Sequence, residues 1–476
     1  GRAARRAAAR RSPARWAARS GAPTLVPCLA CAFGPHPGLP MGNSESAAAS
    51  LRQQLALNDE EVASLSTRFA ELTGAAPPPA PDARVSRDAY AAAFGVESCP
   101  AMGGGMYDLI VREWADGEGM DFPAFARGAV RFSRGASNTI LRHFLRCLPG
   151  GGDGEDEPVT RERAAALLSV CLELAGAPAG PGDDPLPLAV DAVFSAAPSQ
   201  DLPAFLAFVN ECLPHLPRVL TSWMAPLCFS TAVPASFRPY RGPSLVDGPS
   251  DVASLRDTAL LSLYSEPLQG EWTRLYTTQS DGTSFNRVCH HVLGYAGATV
   301  VLVRDRGGAA FGMAATERWK ESNSFYGSSG CFLFRLRPSF AILRPKLGGD
   351  DHFMYLNMKG YRLPHGLGMG GSTDGFRLFI PEAMEACAAR QSDSTFEAGA
   401  LASSGSFEIE TLEVWGCGGD EALRAQAKHR SNRADLVRKA RTVDKAQFAN
   451  SDFDREMFLS KTFGGGGAAA KRDYSA

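Results

Sequence analysis

Two periodicities divide the chain. Between residues 51 and 225 apolar positions recur every three or four residues, and between 250 and 418 they alternate. In the first stretch Asn58-Asp59-Glu60-Glu61 offers an N-cap with an acid three residues on. Val62, Leu65, Phe69 and Leu72 then follow at helical spacing. Met106–Trp114, Ile140–Leu148, Ala164–Leu174 and Phe205–Leu213 repeat that spacing, and the acidic, glycine-rich Gly150–Glu157 reads as a loop between two helical lobes.

In the second stretch Leu255–Tyr264 reads as a short helix and Trp272–Thr277 as a strand. Ser284 opens a helix through Val288, His291 and Val292. Thr299–Val303 reads as a buried strand that Arg304–Gly308 turns back into Ala309–Ala315. In Cys331–Arg337 the side chains of Phe332, Phe334 and Leu336 face one way, Arg335 and Arg337 the other. Phe376, Leu378 and Ile380 repeat the alternation, as does Phe407–Trp415. Such runs predict half-buried antiparallel sheets. The expected fold class is therefore α+β, a two-sheet β-sandwich with flanking helices preceded by an all-α region. Five prolines in residues 226–250 mark a linker. The predicted domains are a helical region at 58–225, the linker at 226–249, a strand-rich domain at 250–418, a C-terminal helix at 419–463 and a disordered tail at 464–476.

Composition changes this picture at the ends. The chain has 476 residues, 45% hydrophobic and 21% charged, with a net charge of −2. Residues 1–40 hold seven arginines and no acid, so the remainder carries −9. A mildly acidic body argues against a nucleic-acid partner, which selects a basic face. Residues 1–40 read as an unfolded leader, with a targeting peptide as the alternative reading: a mitochondrial presequence by the arginines, or a signal peptide by Leu25–Phe33. The first methionine opens Met41-Gly42-Asn43-Ser44-Glu45-Ser46, which fits the N-myristoylation pattern and makes Gly42 the expected lipidation site within an anchor segment at 41–57. One acyl chain binds membranes only reversibly, so a second contact is required. The eleven cysteines are irregularly spaced, mostly among apolar residues, as reduced core thiols in a cytosolic compartment would be.

Few residues offer chemistry. Gly366-x-Gly368-x-x-Gly371, with Gly370 inside it, has the spacing of a dinucleotide fingerprint. That fingerprint acts only between a strand and a helix whose N-terminus receives the pyrophosphate. Here Pro364 precedes it and a strand follows, so Gly366, Gly368, Gly370 and Gly371 read as a structural crossing that needs positive φ or close packing. His290 and His291 are adjacent and lack the i, i+4 spacing of a zinc helix. His352 and His365 flank a strand and could meet a carboxylate, and Cys289, Cys331 and Cys417 read as core residues. Glu113–Phe125 resembles the end of an EF-hand loop, but in that register Glu113, Ala115, Gly117 and Ala124 take positions 1, 3, 5 and 12. Ala124 cannot supply the bidentate carboxylate that calcium needs. No catalytic residue, metal site or cofactor is expected.

The strand-rich half resembles the TLDc domain family. The marks are Ser284-Phe285-Asn286, Val300–Val303, Phe311-Gly312, Cys331–Pro338, Tyr355-Leu356-Asn357, Gly366–Gly371 before Phe376-Arg377-Leu378, and the closing Phe407–Gly416. Together with Met41-Gly42-Asn43-Ser44 and the EF-hand-like region, they resemble the myristoylated, lysosome-associated, mTOR-linked branch. The resemblance implies a two-sheet sandwich without an established active site. It implies roles in oxidative-stress resistance, in binding subunits of the vacuolar proton-pumping ATPase and in mTOR signalling at the lysosomal membrane. Read this way the chain is a non-catalytic, membrane-associated adaptor, on the cytoplasmic face of lysosomal or other endomembranes with a cytosolic pool; a genuine presequence in residues 1–40 would make it mitochondrial. The alternative is a thiol- or metal-dependent antioxidant enzyme. The basic C-terminal segment supplies the expected partner-binding residues Arg424, Lys428, Arg438 and Lys439, on a helix that docks on an acidic surface or gives the second membrane contact.

Overall fold

A computed structural model describes residues 44–450, apart from 76, 78–79, 152–153, 155–156, 181, 183, 197–200, 231–232 and 234–236, with side chains described from residue 50 to 439. The predicted cap at Asn58 forms: its side chain accepts from Glu61 N at 2.8 Å while Glu61 accepts from Asn58 N at 2.9 Å. The helices of the first part are α1 (Ser44–Leu55), α2 (Asp59–Thr73), α3 (Arg87–Phe94), α4 (Ala101–Trp114), α5 (Phe122–Arg134), α6 (Ser137–Cys147), α7 (Arg161–Leu174), α8 (Leu186–Ala196), α9 (Leu202–Cys212) and α10 (Leu216–Cys228). The α2–α3 and α4–α5 pairs are two helix–loop–helix units whose loops meet in one antiparallel bridge, Val85 N to Met120 O at 3.0 Å.

The second part holds α11 (Leu255–Tyr264), α12 (Thr278–Asp281), α13 (Phe285–Val292) and α14 (Gly419–Asn450). Its strands are β1 (Ser244–Leu245), β2 (Glu271–Thr277), β3 (Thr299–Asp305), β4 (Ala310–Ala315), β5 (Phe332–Arg337), β6 (Ala341–Leu343), β7 (Tyr355–Asn357), β8 (Gly366–Ser372), β9 (Gly375–Pro381), β10 (Cys387–Ala389), β11 (Ser406–Phe407) and β12 (Ile409–Gly416). A seven-stranded sheet runs β1-β2-β12-β3-β4-β5-β6 and a five-stranded sheet runs β11-β10-β9-β8-β7. The α+β class with two antiparallel-rich sheets is thus as expected.

The larger sheet is buried on both faces, which corrects the half-buried expectation. Val300, Leu302, Phe332, Phe334, Leu336 and Trp415 join one core with the helices of the first part. The alternate positions Val301, Val303, Leu333, Leu412 and Val414 join a second core with the five-stranded sheet. The period of two therefore divides side chains between two apolar layers rather than between core and water. Arg335 and Arg337 are only partly exposed, and both are engaged: Arg335 Nε donates to Ser339 O at 2.9 Å, and Arg337 pairs with the buried Asp257 at 2.9 Å.

Helix α11 is the keystone between the helical layer and the sheet. Residues 256–263 are all buried, as expected of a helix packed all round. Its two charges point opposite ways. Arg256 reaches back to Ala177 O at 3.2 Å and to Asp184 at 2.7 Å, while Asp257 reaches forward to Arg337 on β5. The proline-rich stretch is drawn into the same assembly. Tyr240 is buried with its hydroxyl 2.6 Å from Ser262 Oγ, and β1 pairs with β2 in parallel. Described residues from Leu51 onward accordingly form one compact unit.

A second correction concerns Phe407–Trp415, expected as one strand. Phe407 belongs to β11 in the smaller sheet and Ile409 opens β12 in the larger one, so this run is where the chain changes sheet.

Candidate functional site

The glycine cluster is itself a strand, β8, paired antiparallel with β7 and β9. This corrects the crossing expected between strands, while the expected close packing is present. A Cβ on Gly368 would lie 2.5 Å from Leu378 O, and one on Gly366 2.5 Å from the Phe379 ring. The rings of Phe376 and Phe379 stack at 4.1 Å, and Tyr355 and Phe325 extend the aromatic layer. Gly370 and Gly371 take φ of +71° and +84°, where a side chain is strained. Space is also short, because a Cβ on Gly370 would lie 2.5 Å from the Asp393 carboxylate. The amides are committed: Gly370 N donates to His352 O at 2.9 Å and Gly371 N to Thr395 Oγ1 at 3.3 Å. β9 follows directly, so no helix N-terminus is presented to a phosphate.

Polar groups surround this strand without forming a nucleophilic relay. His352 Nδ1 sits 2.5 Å from Gly371 O, and the Ser394 and Thr395 hydroxyls both donate to Asp350. Ser394 is therefore bonded to a carboxylate, not to an imidazole base. These bonds to Asp350 hold its carboxyl below the usual range against the opposing effect of desolvation. Arg377 is fully buried, 3.4 Å from Asp393, and donates to Gly399 O at 2.6 Å. The cluster ties the loop before β7 to the loop after β10.

The thiols are as poorly placed for chemistry. All nine described cysteines are free, and eight are buried. Burial pushes every one of them up, Cys212 to about 11 and Cys289 and Cys387 to about 12, so little thiolate forms near neutrality. Among the described residues no group of three or more His, Cys, Asp or Glu could hold a metal ion. His290 and His291 stay apart in role: His291 Nε2 lies 3.8 Å from Asp281, and the His290 carbonyl accepts from Arg430 at 3.3 Å. In the EF-hand-like loop Glu113 is taken by Arg146 at 2.6 Å and Asp121 caps α5 through Ala124 N at 2.8 Å, which leaves neither for calcium.

The basic residues fall on α14. Its first turns are docked: Ala422 is buried, Gln426 donates to His291 O and Arg430 to His290 O. The His429 ring approaches Gly294 so closely that a Cβ there would meet it at 2.5 Å. Past Arg430 every described side chain but the half-buried Asp435 is exposed. Leu436 and Val437 are 66% and 45% exposed. Arg424, Lys428 and Lys439 are exposed, and Arg438 is exposed while paired with Asp435 at 2.9 Å. The helix ends at Asn450 among the described residues, and Gly42 lies outside them, as do 451–476. The glycine strand and this helix are separate features, one in the smaller sheet and the other on α13 and β2 of the larger.

An α+β sandwich holding a strand whose glycines are all buried, with a charged helix leaving its last strand, defines a class. Residues 248–418 match the TLDc domain, and this part of the chain is a TLDc domain. The chain is 36% identical over 153 residues to MTOR-associated protein MEAK7 of Xenopus laevis, covering 32% of this chain and 33% of that one. It is 33% identical over 178 residues to the Gallus gallus protein of that name, 37% of each chain. Oxidation resistance protein 1 of Rattus norvegicus is 29% identical over 184 residues, 38% of this chain and 20% of that one. The matches to the MEAK7 proteins thus span about a third of their length.

Proposed function

We propose that this chain is a non-catalytic, membrane-associated adaptor that works through protein contacts made by its TLDc domain and α14. The observation that carries the reading is α14, on which the exposed Arg424 and Lys428 of the docked turns and Arg438 and Lys439 of the free part share a helix with solvent-facing Leu436 and Val437. Such a helix has charge to steer a partner and apolar area to hold it. The names of the relatives support mTOR-linked signalling or oxidative-stress resistance as the process, and the family resemblance adds the vacuolar proton-pumping ATPase as a partner. The site of action in this reading is the cytoplasmic face of lysosomal or other endomembranes, with a cytosolic pool.

The test is affinity capture of the Met41-initiated protein with mass spectrometry. Recovery of mTOR or of pump subunits is expected, and changing Arg424, Lys428, Arg438 and Lys439 together to Glu should weaken capture about tenfold or more. Capture of neither, or capture indifferent to the charge reversal, sinks the reading. The anchor is tested separately. Gly42→Ala should move the protein from the membrane to the soluble fraction, and unchanged fractionation would remove acylation from the scheme. A thiol-dependent antioxidant activity finds no support in the nine described cysteines, eight of them buried and all of them raised in pKa. Peroxide turnover by the purified protein, abolished by one Cys→Ser change, would restore it.

A further inference from the structure

The β7–β8 hairpin carries an exposed tip tied down by one histidine. Tyr361 is 85% exposed, and the Arg362 guanidinium lies 5.2 Å from its ring centroid. Inside the hairpin the buried Asn357 accepts from Lys359 N at 3.1 Å and Gly360 N at 2.7 Å, and Leu363 N donates to Gly360 O at 3.3 Å. His365 closes the base. Its Nδ1 lies 3.0 Å from Glu382 Oε2 and its Nε2 3.2 Å from Gly360 O. A carboxylate and a carbonyl both only accept. A neutral imidazole has one N–H and can satisfy one of them, whereas an imidazolium donates to both.

We propose that His365 is a proton-operated latch on this hairpin: protonated, it ties Gly360 in the hairpin to Glu382 beyond β9; neutral, it gives up one of the two ties. The groups that face the ring agree in sign. They are Glu382, the Gly360 carbonyl and, from the segment between β4 and β5, Glu321. The Glu382 hydrogen bond, then the Gly360 carbonyl, raise the His365 pKa above its ordinary 6.5. A raised folded-state pKa means that the added stability is complete below 6.5 and is lost as pH rises through the folded value. The order of the surface bearing Tyr361 and Arg362 then falls as pH rises above 6.5, and a partner reading that surface would meet a firmer hairpin on the acidic side.

The experiment uses the full chain. The His365 ring resonances are titrated by NMR, and amide exchange of residues 359–363 is compared at about pH 6 and about pH 8 after correction for intrinsic rates. A His365 pKa above 6.5 is expected, with hairpin protection at the lower pH that is lost at the higher. Glu382→Gln should lower that pKa, and His365→Gln should make protection independent of pH. A pKa at or below 6.5, equal protection at the two pH values, or an unchanged pH response in His365→Gln overturns the latch. Should either variant fail to fold, the wild-type titration and exchange decide it alone.

Discussion

Gly371→Val is expected to lower the unfolding free energy by about 2–5 kcal/mol, a large share of the roughly 5–15 kcal/mol that holds a typical domain folded. Two independent costs add. The backbone at Gly371 has φ of +84°, where an L-residue with a branched Cβ loses roughly 1–2 kcal/mol. The new Cβ would then lie 2.2 Å from Gly375 O and 3.0 Å from Arg377 N, both main-chain atoms of the adjoining strand. Neither can rotate away, so β8 and β9 must separate, and overpacking of this kind costs about 1–3 kcal/mol more. Gly308→Ala separates the two terms. Gly308 has φ of +85° with nothing within 4 Å of the added Cβ, so only the conformational cost of about 1 kcal/mol should appear. Urea denaturation of both variants measures the difference. A Gly371→Val cost no larger than that of Gly308→Ala would show that β8 is not held against β9 as closely as described.

The same strand shows where sequence reasoning stops. Alternation reveals a strand only through side chains, and β8 has them at Leu367 and Met369 alone among residues 366–371. Its other face is filled by aromatic rings from β7 and β9, which is information held in Tyr355, Phe376 and Phe379 rather than in the glycines. Where side chains report both faces the reading succeeded, as in β3 and β5. Even there it could not say that the second face met another layer, because Phe332 and Leu333 are apolar alike. Helices α3, α8 and α10 escaped for related reasons. Residues 87–94 are rich in alanine, and residues 186–196 and 216–228 are apolar almost throughout, so no stripe stands out. The strand change between Phe407 and Ile409 keeps the alternation intact and is silent in the sequence. The charge of α14 was legible. Which half of it stands free depends on tertiary contacts at His290, His291 and Gly294.

Phe332→Ala is expected to cost about 3–5 kcal/mol and to destabilise the helices of the first part together with the sheets. Phe332 is fully buried on the face of β5 that meets α11, with its ring 4.5 Å from Tyr264 and 6.0 Å from Phe334. Truncation removes apolar area shared by two layers and leaves a cavity that neither can fill without moving α11. Polar ties cross the same boundary. Arg256 joins α11 to Asp184, Asp257 joins it to β5, and Arg344 lies 3.1 Å from Glu211 on α9 and 2.8 Å from Glu397. A shared core and shared ion pairs should give one cooperative transition. Denaturation followed by far-ultraviolet circular dichroism and by tryptophan fluorescence should therefore shift to the same new midpoint. Hydrogen exchange should show α7 and α9 losing protection alongside β5. Two separable transitions, with only the strand-rich part weakened, would instead make residues 226–249 a true domain boundary, and would leave the TLDc domain free to move on its helical support when a partner binds.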